Sequence, residues 1–323
     1  MKAIIPAAGI GTRLRPHTLT RPKVMLNVAG KPILAHIADD LLRAGFNDIS
    51  IIVGYRKDRI IDYFANYELG HFSFPVQEEM LGLGHAVLYG LEKNSEPALI
   101  LLGDTIFQTE LQEFRDLKEH TLGVVPVEDP KRFGIVETDS EGLILDMEEK
   151  PEVPPTNLAI AGLYFIREQG ILYEAIEKIV RDNIRTRGEY QLTDAMKIML
   201  QNGETFRAKR IAGWYDCGKK ETLLSTSSVL LDGQNHILGK TENSVLIPPV
   251  YIGPGAEVKS SVLGPNVTVS AGCRVERSIA EDCIFYENSS ISDINLKESI
   301  IGENSVLRGS RQVLDLGDHS RQE

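Results

Sequence analysis

The sequence predicts an α/β domain with a mostly parallel sheet, followed by a short β-helix. Two observations predict it. Short apolar runs alternate with amphipathic stretches over the first hundred or so residues, and from about Leu246 aliphatic or aromatic residues recur six apart. Alternation of the first kind fits strands that run parallel because a helix makes each crossover. A spacing of six, with glycines behind Ile252, Leu263 and Ile301, marks coils in which each inward residue stacks on its counterpart in the next. An antiparallel sandwich would show a period of two instead.

In chain order, strands are expected at residues 3–5, 48–53 and 98–102, with helices over 33–44 and 57–67 between them. Past Leu122 the pattern turns β-rich, at 123–127, 134–138 and 159–166, before a helix over 170–180. The repeats then set Ile252 and Val258, Leu263, Val269 and Val275, Ile279, Phe285 and Ile291, and Ile301 and Leu307 facing inward. Three or four coils fit. A stack that short buries its open end poorly, so packing on the first domain or on another subunit is expected, and a homo-oligomer is favoured over a monomer. The domains are read as 1–232, 240–314 and a tail over 315–323.

At 323 residues the chain exceeds what one core of about 250–300 residues serves. A net charge of −11 excludes a protein that holds nucleic acid through its phosphates. Cys217, Cys273 and Cys283 are an odd set without metal-ligand spacing, which suits a reducing compartment, and cytoplasm is expected. No apolar run is long enough to span a bilayer and no targeting signal is visible, so no membrane partner is expected.

The most informative segment is Pro6-Ala7-Ala8-Gly9-Ile10-Gly11-Thr12-Arg13-Leu14-Arg15-Pro16, with Pro22-Lys23 downstream. Small residues after a strand let backbone N–H groups face an anion, while Arg13, Arg15 and Lys23 supply countercharge. A dinucleotide fingerprint would need glycine where Leu14 stands, and a Walker A loop would need Gly-Lys-Ser/Thr. In an open parallel sheet this loop and Gly103-Asp104 should border one crevice at the carboxyl ends of the strands.

Other segments admit two readings each. Asp104 and Asp216 are a plausible pair of Mg²⁺ ligands, which needs one or two carboxylates beside substrate phosphates, yet either alone also serves as a turn or cap residue. Glu148-Glu149-Lys150-Pro151 in isolation reads as a solvated loop. The segment 185–194 reads as a loop entering a helix capped by Thr193 or Asp194, with Arg187 able to reach a phosphate. Gln77 offers an amide to a base edge and Gly82-Leu83-Gly84 permits close stacking, or the segment is a helix start without a ligand. His85 has no nucleophile beside it and reads as structural.

Taken together, Gly9 to Pro16 with Pro22-Lys23, Gly30-Lys31-Pro32-Ile33-Leu34, Gly82-Leu83-Gly84-His85-Ala86, Gly103-Asp104, Phe133-Gly134-Ile135-Val136, Glu148 to Pro151, Asn157 through Tyr164 and Trp214 to Gly218 resemble the sugar-1-phosphate nucleotidyltransferases in family order. The resemblance covers nearly the whole chain. It implies a Rossmann-like, mostly parallel sheet domain followed by a short left-handed β-helix. It also implies attack of a sugar 1-phosphate oxygen on the α-phosphorus of a nucleoside triphosphate, with pyrophosphate leaving. By the family pattern Ala7, Ala8, Gly9, Gly11, Thr12, Arg13 and Lys23 hold the nucleotide's phosphates, and Gln77 and Gly82 contact its base. Asp104 and Asp216 hold Mg²⁺ and, with Arg13 and Lys23, form the catalytic set. Lys150 and Arg187 bind the sugar phosphate, and Gly134, Glu149, Ile160 and Tyr164 line the sugar pocket.

The opening Pro6-Ala7-Ala8-Gly9 and the segment 82–87 resemble uridylyltransferases acting on glucose 1-phosphate, whereas the catalytic length and the tail resemble thymidylyltransferases; UTP is favoured and dTTP comes next. Two alternatives differ in kind. A sugar acyltransferase is disfavoured by few coils and by histidines that only flank the repeats, His236 before and His319 after. A non-catalytic regulatory homologue should have lost one of Arg13, Lys23, Asp104 or Asp216.

Overall fold

The computed structural model describes residues 1–310. Its residues divide into two compact units, one of Met1–Leu26 with Lys31–Lys219, the other of Asn27–Gly30 with the chain from Lys220 onward.

The first unit is built on a nine-stranded mixed sheet. Its parallel part runs His71–Ser73, Asp48–Ile52, Lys2–Pro6, Ala98–Leu101. Lys2–Pro6 is central, with Ala3, Ile4 and Ile5 fully buried, because a parallel strand covered on both faces has no solvent side to leave polar. Ala3 aligns with Ile49 on one neighbour and Leu99 on the other. Helix α1, Ile33–Arg43, buries Ile33, Leu34, Ile37, Ala38 and Leu41, an i, i+4 stripe, and follows Pro32 at its N-cap. Helix α2 is Lys57–Phe64, three residues shorter than its sequence pattern.

The chain then extends the sheet with antiparallel strands. Leu158–Ile166 pairs with Ala98–Leu101 and with His120–Pro126, and Gly134–Thr138 and Ile144–Glu149 continue beyond it. Its pairing shifts between Ile160 and Tyr164, where Gly162 has a positive φ of 90°. Phe206–Arg210 lies parallel to His120–Pro126. Helices α3 (Leu83–Leu88), α4 (Gln169–Arg181) and α5 (Leu192–Gln201) share one core with Ile4, Ile52, Ile100, Leu122 and Val136. The segment expected at 185–194 departs from its reading. The N-cap of α5 is Gln191, and no side chain caps the helix. Thr193 is a helical residue whose hydroxyl is used elsewhere.

In the second unit, α6 (Lys220–Leu230) precedes stacked parallel ladders of five, five and four strands. Among the described residues the ladders make four full coils and two thirds of a fifth, more than the three or four expected. The first coil escaped notice because its inward position, aligned with Val258, is Thr241, which breaks the apolar pattern. The spacing also contracts. Val250 aligns with Val267 but Val267 with Cys283, one residue fewer per coil. Ile279, expected to face inward, is 51% exposed; Ala280, 1% exposed, is the residue aligned with Leu263. His236 does not precede the repeats, since it pairs with Tyr251 in the first coil, and its side chain is exposed. His319 and the expected tail lie outside the described residues. The three cysteines are buried, and no disulfide joins them. Among the described residues no helix is long and apolar enough to cross a membrane.

Candidate active site

The loop after Lys2–Pro6 turns at Gly11, whose φ of 70° lies in the left-handed region and whose absent Cβ would stand 2.6 Å from the Lys23 Cβ. That close approach brings Lys23, at the start of the short helical turn Lys23–Met25, under the loop. Lys23 is 7% exposed. A buried ammonium needs partners, and it has two: Asp104 Oδ2 at 2.5 Å and Asp216 Oδ1 at 3.8 Å. The carboxylates are brought together by pairing of Thr105–Gln108 with Gly213–Asp216, in which Asp216 stands opposite Thr105, and by the Cys217 N–H donating to the Asp104 carbonyl.

Above them is a cavity of about 490 Å³. Ala7, Ala8, Gly9, Gly11, Thr12 and Arg13 form one wall, with Arg13 exposed at the rim, and Gln77 and Gly82 form another. Lys23 and Asp104 line it as well. The crevice expected between the first loop and Gly103-Asp104 is therefore present, and the Gly103 N–H donates to the Pro6 carbonyl at 3.3 Å. Gly82 has φ 118°, and a Cβ there would meet the Tyr190 carbonyl at 2.6 Å. Burial holds the His85 imidazole below its ordinary value, with Arg185 pushing the same way and Glu79 opposing.

A second cluster gathers at the end of Ile144–Glu149. Glu149 is no solvated loop residue; its side chain is 10% exposed, Oε2 accepts from the Thr193 hydroxyl at 2.8 Å, and Oε1 lies 3.0 Å from Lys150 Nζ. Gly134 fits against both, since a Cβ on it would stand 2.8 Å from Thr193 Oγ1, 3.0 Å from Glu149 Oε2 and 3.2 Å from Ile160 Cδ1. Arg187 sits at the tip of a two-residue turn closed by reciprocal bonds between Thr186 and Glu189, and donates to the Lys150 carbonyl at 3.0 Å. Tyr164 connects the two clusters electrostatically. Burial raises its hydroxyl well above the ordinary range, and the charges of Glu149 and Asp104 raise it further. Gly134, Glu149, Lys150, Ile160, Tyr164 and Arg187 do not line the 490 Å³ cavity; they form this neighbouring group.

Residues 2–233 match the family model described as nucleotidyl transferase. The chain belongs to the nucleotidyl transferase family. Residues 218–293 also match a model described as a GlmU-like C-terminal hexapeptide. The chain is 38% identical to a bifunctional protein GlmU of Methanocaldococcus jannaschii over 94% of its own length and 78% of the relative's. It is 31% identical to a glucose-1-phosphate thymidylyltransferase of Streptomyces griseus over 99% of both. A UTP–glucose-1-phosphate uridylyltransferase, AglF, of Haloferax volcanii is 35% identical over 66% of this chain and 89% of its own. A crystal structure of UDP-glucose pyrophosphorylase complexed with UDP-glucose superposes with a TM-score of 0.59 at 26% identity, covering 72% of this chain and 98% of that one. These relatives place this nucleotidyl transferase among the sugar-1-phosphate nucleotidyltransferases.

The donor set of this nucleotidyl transferase fits a divalent cation. Asp104 and Asp216 both reach the Lys23 ammonium, which gathers two hard carboxylate donors of the kind a divalent cation would take. Among the described residues no group of three or more His, Cys, Asp or Glu side chains is placed to hold a metal ion. Two participants were not found from the sequence. Glu189 lines the 490 Å³ cavity, and the Thr193 hydroxyl donates to Glu149. Glu189 adjoins the expected Arg187, but a carboxylate in a polar loop gives no signal of its own. Thr193 was visible only as a capping residue.

Proposed function

We propose that this enzyme transfers a nucleotidyl group from a nucleoside triphosphate, UTP before dTTP, to a sugar 1-phosphate, glucose 1-phosphate, releasing pyrophosphate. The observation that carries the reading is Lys23 held between Asp104 and Asp216 on the wall of a glycine-lined cavity. Arg13 and Lys23 hold the triphosphate and stabilise the charge of the departing pyrophosphate, while the backbone from Ala7 to Thr12 supplies N–H donors. Asp104 and Asp216 hold Mg²⁺, which supplies charge neutralisation at the phosphates. Gln77 and Gly82 contact the base. Lys150 and Arg187 hold the sugar phosphate, and Gly134, Glu149, Ile160 and Tyr164 line the sugar. The attacking phosphate oxygen is already anionic, so no side chain has to remove a proton, and positioning in line does most of the work.

The domain roles follow: residues 1–232 are the catalytic part, the β-helix joins copies into a homo-oligomer, and the protein works in the cytoplasm. UTP is supported by the likeness to the Haloferax volcanii uridylyltransferase and to the UDP-glucose pyrophosphorylase structure. A dTTP-dependent enzyme is the second reading, favoured by the Streptomyces griseus thymidylyltransferase aligning over the full length of both chains. Pyrophosphate release from glucose 1-phosphate, Mg²⁺ and each of UTP, dTTP, ATP, CTP and GTP decides between them. UTP giving the highest kcat/KM is the expected result. Highest kcat/KM with dTTP establishes the second reading, and no release with any nucleotide removes both.

A further inference from the structure

Gln77 is 4% exposed and faces the nucleotide-side cavity, and both hydrogen bonds of its side chain leave from the nitrogen. Nε2 donates to the Gly82 carbonyl at 3.3 Å and meets His85 Nδ1 at 3.1 Å. A carbonyl can only accept, so Gly82 fixes which end of the amide is nitrogen. With nitrogen there, Nδ1 has to be an acceptor, which makes His85 the neutral tautomer protonated on Nε2. Both amide protons are then engaged. Oε1 is left as the acceptor of a side chain that lines the cavity.

The bases divide at this atom. Uracil and thymine carry an imide N3–H, a donor, whereas the cytosine N3 is an acceptor. We propose that His85 is a positioning residue for base selection: by accepting from Gln77 Nε2 it presents Oε1 to the cavity, so that the site takes a base with an imide N–H and rejects cytosine. The proposal rests on the reading of Gln77 as the base-contacting residue. His85 itself does not line the cavity and acts from behind Gln77.

The groups around the ring are Gln77, the Glu79 backbone carbonyl and carboxylate, the Arg185 charge, Tyr89 with its ring 5.2 Å away, and Tyr190 at 6.4 Å. Burial and Arg185 keep the ring neutral against Glu79. Protonation would put a proton on Nδ1 facing the amide N–H, and the orientation of Gln77 would be lost.

The test compares the wild type, His85→Leu, His85→Asn, Gln77→Ala and the Gln77→Ala/His85→Leu double variant, using the full chain. Two readouts are taken: the ratio of kcat/KM for UTP to that for CTP, and UTP and CTP binding with Mg²⁺ by titration calorimetry. His85→Leu should lower the UTP to CTP ratio by about tenfold, with the loss in KM rather than kcat. His85→Asn, whose amide oxygen replaces Nδ1 as acceptor, should restore most of it. Wild-type preference should fall as the pH drops below the ordinary imidazole range, and that of His85→Asn should not. His85→Leu should add nothing in the Gln77→Ala background. An unchanged ratio in His85→Leu while Gln77→Ala lowers it overturns the role of His85 alone, as do effects that multiply in the double variant. An unchanged ratio in Gln77→Ala overturns the base-contact reading and this proposal with it.

Discussion

Lys23 Nζ lies 2.5 Å from Asp104 Oδ2 and 3.8 Å from Asp216 Oδ1, so two carboxylates share one ammonium. Replacing it with an apolar isostere leaves two like charges facing each other. Lys23→Met is expected to lower turnover by about 10²–10³-fold, the order lost when one preorganised charge-stabilising group is removed. It should also make thermal stability depend on Mg²⁺ more than in the wild type, because the cation then supplies the missing charge. Melting curves with and without Mg²⁺ check this independently of turnover, and a Tm of the variant that ignores Mg²⁺ would sink the shared-cation picture.

Asp104→Asn and Asp216→Asn keep the shape and remove one charge each. Each should cut pyrophosphate release by orders of magnitude while circular dichroism stays native. Both carboxylates partner the buried Lys23, so some loss of stability accompanies either change, and native circular dichroism separates that from the loss of turnover. Normal rates in both variants would take them out of the metal site.

Gly134→Ala puts a methyl group 2.8 Å from Thr193 Oγ1 and 3.0 Å from Glu149 Oε2, and the hydrogen bond between those atoms has to open. A rise in KM for the sugar phosphate of about tenfold or more is expected, with KM for the nucleotide nearly unchanged. Steady-state kinetics on both substrates tests the separation of the two clusters; equal rises would argue that they are one.

His120 is buried, stacked on Phe206, bonded through Nε2 to Glu204 at 3.1 Å, and accepts the Arg167 N–H at Nδ1. Burial lowers its pKa from the ordinary 6.5, the Glu204 bond and charge opposing. The unfolded chain therefore takes up a proton more readily than the folded one. The contribution to stability is present above pH 6.5 and is lost as pH falls through the lowered folded value. Urea denaturation from pH 8 to 5 should show stability falling on the acid side, and His120→Gln should flatten that part of the profile. An identical slope in the variant would assign the acid loss to other groups.

The two-part fold was legible because it rests on periodicity, a local property of the chain. Where periodicity lapsed the reading lapsed: Thr241 hid the first coil, and a coil shortened by one residue placed Ile279 where Ala280 belongs. The same limit applied to the site. Gly9, Gly11 and Asp104 could be expected at one crevice from strand ends alone, but the burial of Lys23 depends on two carboxylates far along the chain. Glu149 and Thr193 were each given a local explanation, solvated loop and helix cap, because their hydrogen bond joins segments whose proximity only the folded sheet creates.

Asp104 and Asp216 stand at one end of a two-stranded ladder, with Thr105 opposite Asp216. The chain between the two strands carries the group around Glu149, Lys150 and Arg187 and returns to the central sheet, where Leu158–Ile166 pairs with Ala98–Leu101. The two carboxylates are therefore held by a ladder of their own, so an insertion in an exposed turn of the intervening chain can leave the distance between Asp104 and Asp216 unchanged.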